Sequence, residues 1–163
     1  MQRPLVARLA FCVIVSLSLG YWIMHPPVSQ TASPNIVISQ IYGAGGNSGA
    51  SWRNDFIELF NRGNAPVSLA GWSIQYAAAT SSSWSKTDLS GTLQPGQYLL
   101  VQEGSGGTNG TLLPAADVTG TIAMAATAGK VALVNTTTLL NVSCPSGGGL
   151  VDLIGYGTTA KSL

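Results

Sequence analysis

Residues 54–74 hold the pattern that most constrains how this chain folds. Two segments, residues 56–60 and 72–76, are rich in aromatic and branched side chains that fit a pleated, half-buried surface. The bridge between them contains Gly63, Asn64 and Pro66, which interrupt strands and favour turns. The pattern predicts two β-strands joined by a turn-rich connection.

The first of these segments places a carboxylate among aromatic rings. Successive side chains of a strand point to opposite faces, so Ile57 and Leu59 share one face while Glu58 shares the other with Phe56 and Phe60. Glu58 is either a perturbed acid in a site or a carboxylate satisfied by backbone amides of a neighbouring loop. No histidine or second close carboxylate stands near it in the sequence, which favours the structural interpretation.

The second segment changes its alternation between Leu69 and Trp72. A bulge or turn at Ala70 and Gly71 would absorb the extra residue. Large apolar side chains at alternating positions of the predicted strands are expected to form the core. The predicted core residues are Ile57, Leu59, Leu69, Trp72, Tyr98, Leu133 and Tyr156.

Short strands separated by turn signals continue through the rest of the chain. Strands are predicted at residues 36–42, 98–101, 130–135 and 150–157, and residues 139–142 are predicted to be the hairpin partner of residues 130–135. Trp84 is expected to pack over the rim of the fold. This spacing, without an amphipathic helix, predicts an all-β sandwich.

The low charge of the chain excludes some partners. Charged residues make up 8% of the sequence, against the usual quarter. From Ser33 onward five lysines and arginines stand against six aspartates and glutamates, a net charge of −1. We expect no nucleic-acid partner, because such binding requires several phosphates to be neutralised. No polybasic surface for anionic lipid is present either.

The N-terminus has the pattern of an export signal. Arg3 and Arg8 precede an apolar run over residues 9–24, as in a secretory signal peptide. We predict a hydrophobic helix over residues 1–24, cleaved as a signal peptide or retained as the only membrane anchor. A Pro/Ser/Thr linker over residues 25–34 and the β-domain over residues 35–163 follow. The domain is expected to be secreted or at the cell surface.

The sequence offers no familiar catalytic constellation. Its one histidine, His25, lies in the linker, so a nucleophile in the domain has no imidazole base. We therefore expect no enzyme activity, no cofactor and no metal. One alternative stays open, in which Asp88, Asp117 and Asp152 meet in space as an oxygen-ligand site.

The motifs together resemble the lamin-tail domain, in the form found in exported bacterial proteins. The resemblance covers residues 35–157 and is most specific in its second and third motifs. The matching motifs are IVISQIYG at residues 36–43, NDFIELFNRG at 54–63, VSLAGWSIQY at 67–76, LQPGQYLLV at 93–101 and VDLIGYG at 151–157.

This resemblance implies an immunoglobulin-like β-sandwich that serves as a non-catalytic module. Such domains usually continue after the motif that ends at Gly157, often with a cysteine and a final strand, whereas this sequence ends at Leu163. We therefore expect a domain truncated at its C-terminus, in which the disulfide partner of Cys144 is absent. The DNA contacts of nuclear lamin tails are not expected, because the basic patch is missing.

Two functions are compatible with these observations. The first is an exported binding or structural module with a protein or glycan partner. The second is the N-terminal fragment of a secreted nuclease or phosphoesterase, whose catalytic domain lies beyond residue 163.

The core assignment predicts the effect of one substitution. Trp72→Ala is expected to lower the free energy of unfolding by about 3–5 kcal/mol, because it removes a large side chain from the core. Chemical denaturation followed by circular dichroism measures the change. A folded variant of unchanged stability would show that Trp72 is not a core residue.

Overall fold

The computed structural model describes residues 35–160, which form ten β-strands and contain no helix. The predicted N-terminal helix and linker lie outside the described residues. No helix within residues 35–160 is long and apolar enough to cross a membrane. The strands are β1 (Ile36–Tyr42), β2 (Phe56–Asn61), β3 (Val67–Ser68), β4 (Ser73–Ala78), β5 (Ser85–Asp88), β6 (Thr92–Leu93), β7 (Tyr98–Gln102), β8 (Val118–Thr119), β9 (Gly129–Val134) and β10 (Leu150–Tyr156).

Eight strands form two four-stranded sheets. The first sheet has the order β1-β2-β7-β8 and the second has the order β10-β9-β4-β5, while β3 and β6 form a separate pair. All pairings are antiparallel except the one between β7 and β8. The all-β prediction is confirmed, and the arrangement is consistent with an immunoglobulin-like sandwich.

The core lies between the two sheets. The inward side chains Ile57, Leu59, Leu69 and Leu133 are fully buried, as strand alternation predicts. Trp72 and Tyr156 are half-buried and pack against this cluster from its periphery. The other members are Ile36, Ile38, Ile74, Tyr76, Leu89, Leu93, Leu99, Val101, Ile122, Met124 and Val131.

The prediction that Tyr98 belongs to the core is wrong. Tyr98 is 59% exposed, because β7 turns Leu99 and Val101 inward and therefore points Tyr98 outward. Its ring lies against that of Phe60 on the neighbouring strand, with 4.6 Å between the centroids.

The predicted turn between Leu69 and Trp72 is confirmed. The Trp72 amide donates to the Leu69 carbonyl at 3.0 Å, and Gly71 has a φ angle of +80°. That backbone conformation favours glycine, since a side chain would meet the backbone sterically. The turn restores the inward alternation at Ile74, which is buried.

The prediction that residues 139–142 form a hairpin with β9 is also wrong. The two neighbours of β9 are β4 and β10, so no edge of β9 is free. Residues 135–149, here called the covering loop, instead lie over the outer side of the second sheet.

Buried polar side chains of the second sheet hold the covering loop. The Gln75 amide donates to the Thr138 carbonyl at 2.8 Å and accepts from the Leu140 amide at 2.9 Å. The Trp84 indole N–H donates to the Val142 carbonyl at 2.9 Å. Because these groups satisfy loop backbone, the loop follows the sheet closely without forming a strand.

The burial pattern predicts opposite effects at neighbouring positions of the first sheet. Leu59→Ala is expected to lower the free energy of unfolding by about 2–5 kcal/mol, because it opens a cavity in the core. Tyr98→Ala is expected to cost less than about 1 kcal/mol, since its ring is mostly in water. Denaturant titration measures both variants. Equal losses of unfolding free energy would contradict the assignment of Leu59 to the core and Tyr98 to the surface.

Candidate functional site

A pair of carboxylates lies inside one end of the sandwich. Asp55 and Glu103 extend the pairing of β2 and β7 by one step, since the Glu103 amide donates to the Asp55 carbonyl at 2.7 Å. Asp55 precedes inward Ile57 by two residues and Glu103 follows inward Val101 by two, so both side chains face the interior. Their residues are 2% and 1% exposed.

Asp55 joins two separate segments to the start of β2. Its Oδ1 accepts from the Gly45 amide at 2.7 Å and its Oδ2 from the Met124 amide at 2.6 Å. Met124 belongs to residues 120–128, here called the crossover segment, which leads from β8 in the first sheet to β9 in the second. Burial raises the pKa of Asp55, although backbone amides of Met124, Gly45 and Ala44 oppose the change.

Glu103 is less well satisfied than Asp55. Its Oε2 accepts from the Ile122 amide at 2.9 Å, while its Oε1 is buried without a hydrogen-bond partner. The Thr87 hydroxyl, on β5 of the opposite sheet, is also buried and lies close to this carboxyl, but the two form no hydrogen bond of good geometry. A Cβ placed on Gly120 would clash with both Thr87 Oγ1 and Glu103 Oε2, so the two oxygens flank the same point.

Burial is the main cause of a raised pKa at Glu103. The Thr87 hydroxyl and the Ile122 amide act in the opposite direction, and the charge of Asp55 raises this pKa further. Two carboxyl groups therefore share one desolvated region, in which the charge of Asp55 makes Glu103 harder to ionise.

Two tyrosines hold the crossover segment from the second sheet. The Tyr76 hydroxyl accepts from the Ala125 amide at 2.9 Å, and the Tyr156 hydroxyl donates to the Ala125 carbonyl at 2.7 Å. Burial raises the pKa of Tyr156, which keeps its hydroxyl protonated as a donor. The crossover segment is thus anchored by side chains from both sheets.

Sequence reasoning considered Glu58 and three aspartates, and it missed this pair. Glu58 lies on the outer side of the first sheet, and its Oε1 accepts from the Ser39 hydroxyl at 2.6 Å rather than from a loop amide. Strand alternation already placed Asp55 in phase with Ile57, and Glu103 in phase with Val101. If the alternation of inward and outward side chains had been continued by two residues beyond each predicted strand, it would have predicted that both acids point inward.

The three aspartates considered as oxygen ligands have separate structural contacts. Asp88 accepts from the ammonium group two residues earlier in its own strand at 2.6 Å. Asp117 accepts from the Leu100 amide, and Asp152 accepts from the Ile38 amide, each at 2.8 Å. Within residues 35–160, no group of three or more His, Cys, Asp or Glu residues is placed to hold a metal ion.

The outer side of the first sheet carries an aromatic pair, in which Tyr98 is exposed and Phe60 is half-buried. Register places Val37, Phe60 and Tyr98 in one row across β1, β2 and β7, with Glu58 and Leu100 in the next row. The Phe60 and Tyr98 rings are tilted by 30° to each other. The name open face is used below for Val37, Ser39, Glu58, Phe60, Tyr98 and Leu100.

By contrast, the covering loop closes the outer side of the second sheet. Lys130, only 1% exposed, donates to the Ser81 carbonyl at 2.8 Å and to the Ser143 carbonyl of the covering loop at 2.6 Å. Its ammonium lies 5.3 Å from the Trp84 ring centroid, and burial lowers the pKa of Lys130. Cys144 follows in the same loop and is exposed.

Comparison with known families supplies an identification. A family profile described as Lamin Tail Domain matches residues 29–158, which include both the buried carboxyl pair and the open face. Comparison with curated proteins finds no match.

The contacts of Asp55 predict a large effect of its removal. Asp55→Ala is expected to cost about 1–3 kcal/mol of unfolding free energy for each of the Gly45 and Met124 amides left without an acceptor. Asp88→Ala is the surface control and is expected to change stability by less than about 0.5 kcal/mol. Thermal or denaturant unfolding measures both variants. If Asp55→Ala and Asp88→Ala lost similar amounts of unfolding free energy, Asp55 would not be an anchor of these segments.

Proposed function

The chain belongs to the lamin tail domain family, and from this membership we propose that it is an exported, non-catalytic binding module. Its immunoglobulin-like sandwich supports a role in which a rigid domain presents a surface to a partner. The open face of the first sheet is the surface that we assign to this role.

Export is supported by the N-terminal sequence. Arg3 and Arg8 lie before the apolar run of residues 9–24, which is the charge and hydropathy order of a secretory signal. N-terminal sequencing of protein recovered outside the cytoplasm tests this part of the proposal. Protein found only inside the cell with an intact Met1 would contradict export.

A non-catalytic role is supported by the way the carboxylates are used. Asp55 and Glu103 lie in the interior, where they bind backbone amides of the crossover segment. Glu58 on the open face is already engaged by the Ser39 hydroxyl. The one histidine of the sequence, His25, precedes the domain.

The contrast between the two outer faces carries the assignment of the binding surface. The covering loop closes the second sheet and uses its polar groups internally. The first sheet keeps Tyr98, 59% exposed, beside Phe60 on its outer side. Exposed aromatic side chains with polar neighbours are typical anchors of recognition surfaces.

A neutral glycan is the partner that fits this surface best. The apolar C–H side of a sugar ring can stack on the Tyr98 ring, while Ser39 and Glu58 offer hydroxyl and carboxylate groups for hydrogen bonds. Tyr98 is the one strongly exposed large hydrophobic residue of this face. So small an apolar area suits a sugar better than a protein interface, which buries about 800 Å² on each partner.

Binding to a panel of neutral hexose and N-acetylhexosamine oligosaccharides tests the assignment. The full chain is expected to bind a member of the panel, and Tyr98→Ala is expected to weaken that binding roughly tenfold or more, a loss typical of an anchoring aromatic. Leu112→Ala, another exposed hydrophobic residue outside the open face, is the matched control.

Two other outcomes of this experiment have defined meanings. A protein ligand that binds the chain and is lost on Tyr98→Ala would retain the binding module and replace the glycan. If a ligand bound Tyr98→Ala and the unaltered chain equally, the open face would not be the binding surface.

A further inference from the structure

We propose that Glu103 is a neutral carboxylic acid in the folded domain at neutral pH, and that its proton makes this end of the sandwich sensitive to alkaline pH. The inference does not depend on the proposed binding function. It rests on the hydrogen-bonding groups that surround the carboxyl.

The surroundings of Glu103 do not satisfy a carboxylate. An ionised carboxylate has two oxygens that accept several hydrogen bonds, and here only Oε2 has a donor, the Ile122 amide at 2.9 Å. Oε1 is buried without a partner, and so is the nearby Thr87 hydroxyl. The Thr87 hydroxyl can donate to an ionised carboxyl or accept from a protonated one, so it fits both states. The protonated state is favoured because the carboxyl is buried and the charge that acts on it is the like charge of Asp55.

Asp55 differs from Glu103 in the donors that it receives. Both Asp55 oxygens accept short hydrogen bonds, from the Gly45 amide at 2.7 Å and the Met124 amide at 2.6 Å. Hydrogen bonds to the charged form favour ionisation. Of the two neighbouring acids, Asp55 is therefore the one that keeps the charge and Glu103 the one that keeps the proton.

The cations on neighbouring strands have other partners. Lys86 on β5 contacts Asp88 at 2.6 Å, and Lys130 on β9 donates to two backbone carbonyls on the outer side of the second sheet. From β4 and β10, the titratable groups at this end are the hydroxyls of Tyr76 and Tyr156, which hold the crossover segment. Asp55, from β2, is the charge that acts on Glu103, and it opposes ionisation.

The sign of the pH effect follows from this arrangement. Burial holds the pKa of Glu103 above its ordinary value of 4.5, so the folded state binds a proton that the unfolded state releases. The stabilisation is fully present below the ordinary pKa and is lost as pH rises through the folded pKa. Ionisation then places a second charge beside Asp55, and we expect the crossover segment to loosen at Ile122 and Met124.

Carboxyl spectroscopy on the full chain tests the protonation state directly. Infrared or carbon-13 NMR measurement at neutral pH is expected to show one protonated carboxyl, which disappears in Glu103→Gln. Glu58→Gln is the matched control, because that carboxyl lies on the outer side and accepts from Ser39. The signal is expected to remain in this control.

The pH dependence of stability gives the second readout. The melting temperature of the unaltered chain is expected to fall as pH rises above the ordinary value of 4.5 and through the folded pKa, whereas Glu103→Gln should lose most of this slope. Only the slope is compared, because glutamine carries an additional N–H that also needs an acceptor. Thr87→Val removes the hydroxyl partner and is expected to shift the carboxyl titration while leaving one protonated group.

The contradicting results are equally specific. A Glu103 carboxyl that is already ionised at neutral pH, or an unchanged pH slope in Glu103→Gln, would overturn the proposal. Should Glu103→Gln not fold, residue-specific carbon-13 titration of the unaltered chain decides the matter alone. Amide exchange of the crossover segment, compared with that of β9, would show whether loosening is confined to this end.

Discussion

The architecture depends on how the crossover segment is held between the two sheets. Residues 120–128 leave the first sheet and enter the second across one end of the sandwich, without regular secondary structure. Buried backbone amides without strand partners must find other acceptors. Asp55 and Glu103 supply those acceptors to Met124 and Ile122, and two tyrosines bind Ala125 from the opposite sheet. Carboxyl burial is therefore a structural requirement of this connection and not an isolated feature.

The same requirement explains why the two outer faces differ. The second sheet carries Gln75 and Lys130 on its outer side, and these polar groups would be costly to bury without partners. The covering loop supplies backbone carbonyls to both, so the loop and the polar residues satisfy each other. Around Phe60 and Tyr98, the described residues on the outer side of the first sheet include no fully buried polar side chain comparable to Gln75 or Lys130. On its outer side the exposed Tyr98 ring lies against the half-buried Phe60 ring, whereas both rings of the Tyr42–Phe56 pair are at least half-buried.

Local alternation predicted the strands well and predicted individual side chains less well. Ile57, Leu59, Leu69 and Leu133 lie at inward positions that a period of two identifies from the sequence. Tyr98 is a large side chain in a predicted strand, but Leu99 and Val101 occupy the inward phase of that strand and leave Tyr98 on its outer side. The covering loop could not be predicted from residues 139–142, since its partners Gln75 and Trp84 are more than fifty residues away. Asp55 and Glu103 were missed because they lie just beyond the predicted strands at residues 56–60 and 98–101, and the inward alternation was not continued to them.

The chemistry of the Glu103 position favours a carboxylic acid over the residues that resemble it. The position needs an acceptor for the Ile122 amide and a single donor toward the Thr87 hydroxyl. A neutral carboxylic acid has one of each, whereas glutamine has a second N–H that would be buried without an acceptor. An apolar residue would leave the Ile122 amide unpaired, at a cost of about 1–3 kcal/mol. Burial beside the charge of Asp55 opposes ionisation of this glutamate, so the same desolvation that favours the protonated acid also makes the site sensitive to alkaline pH.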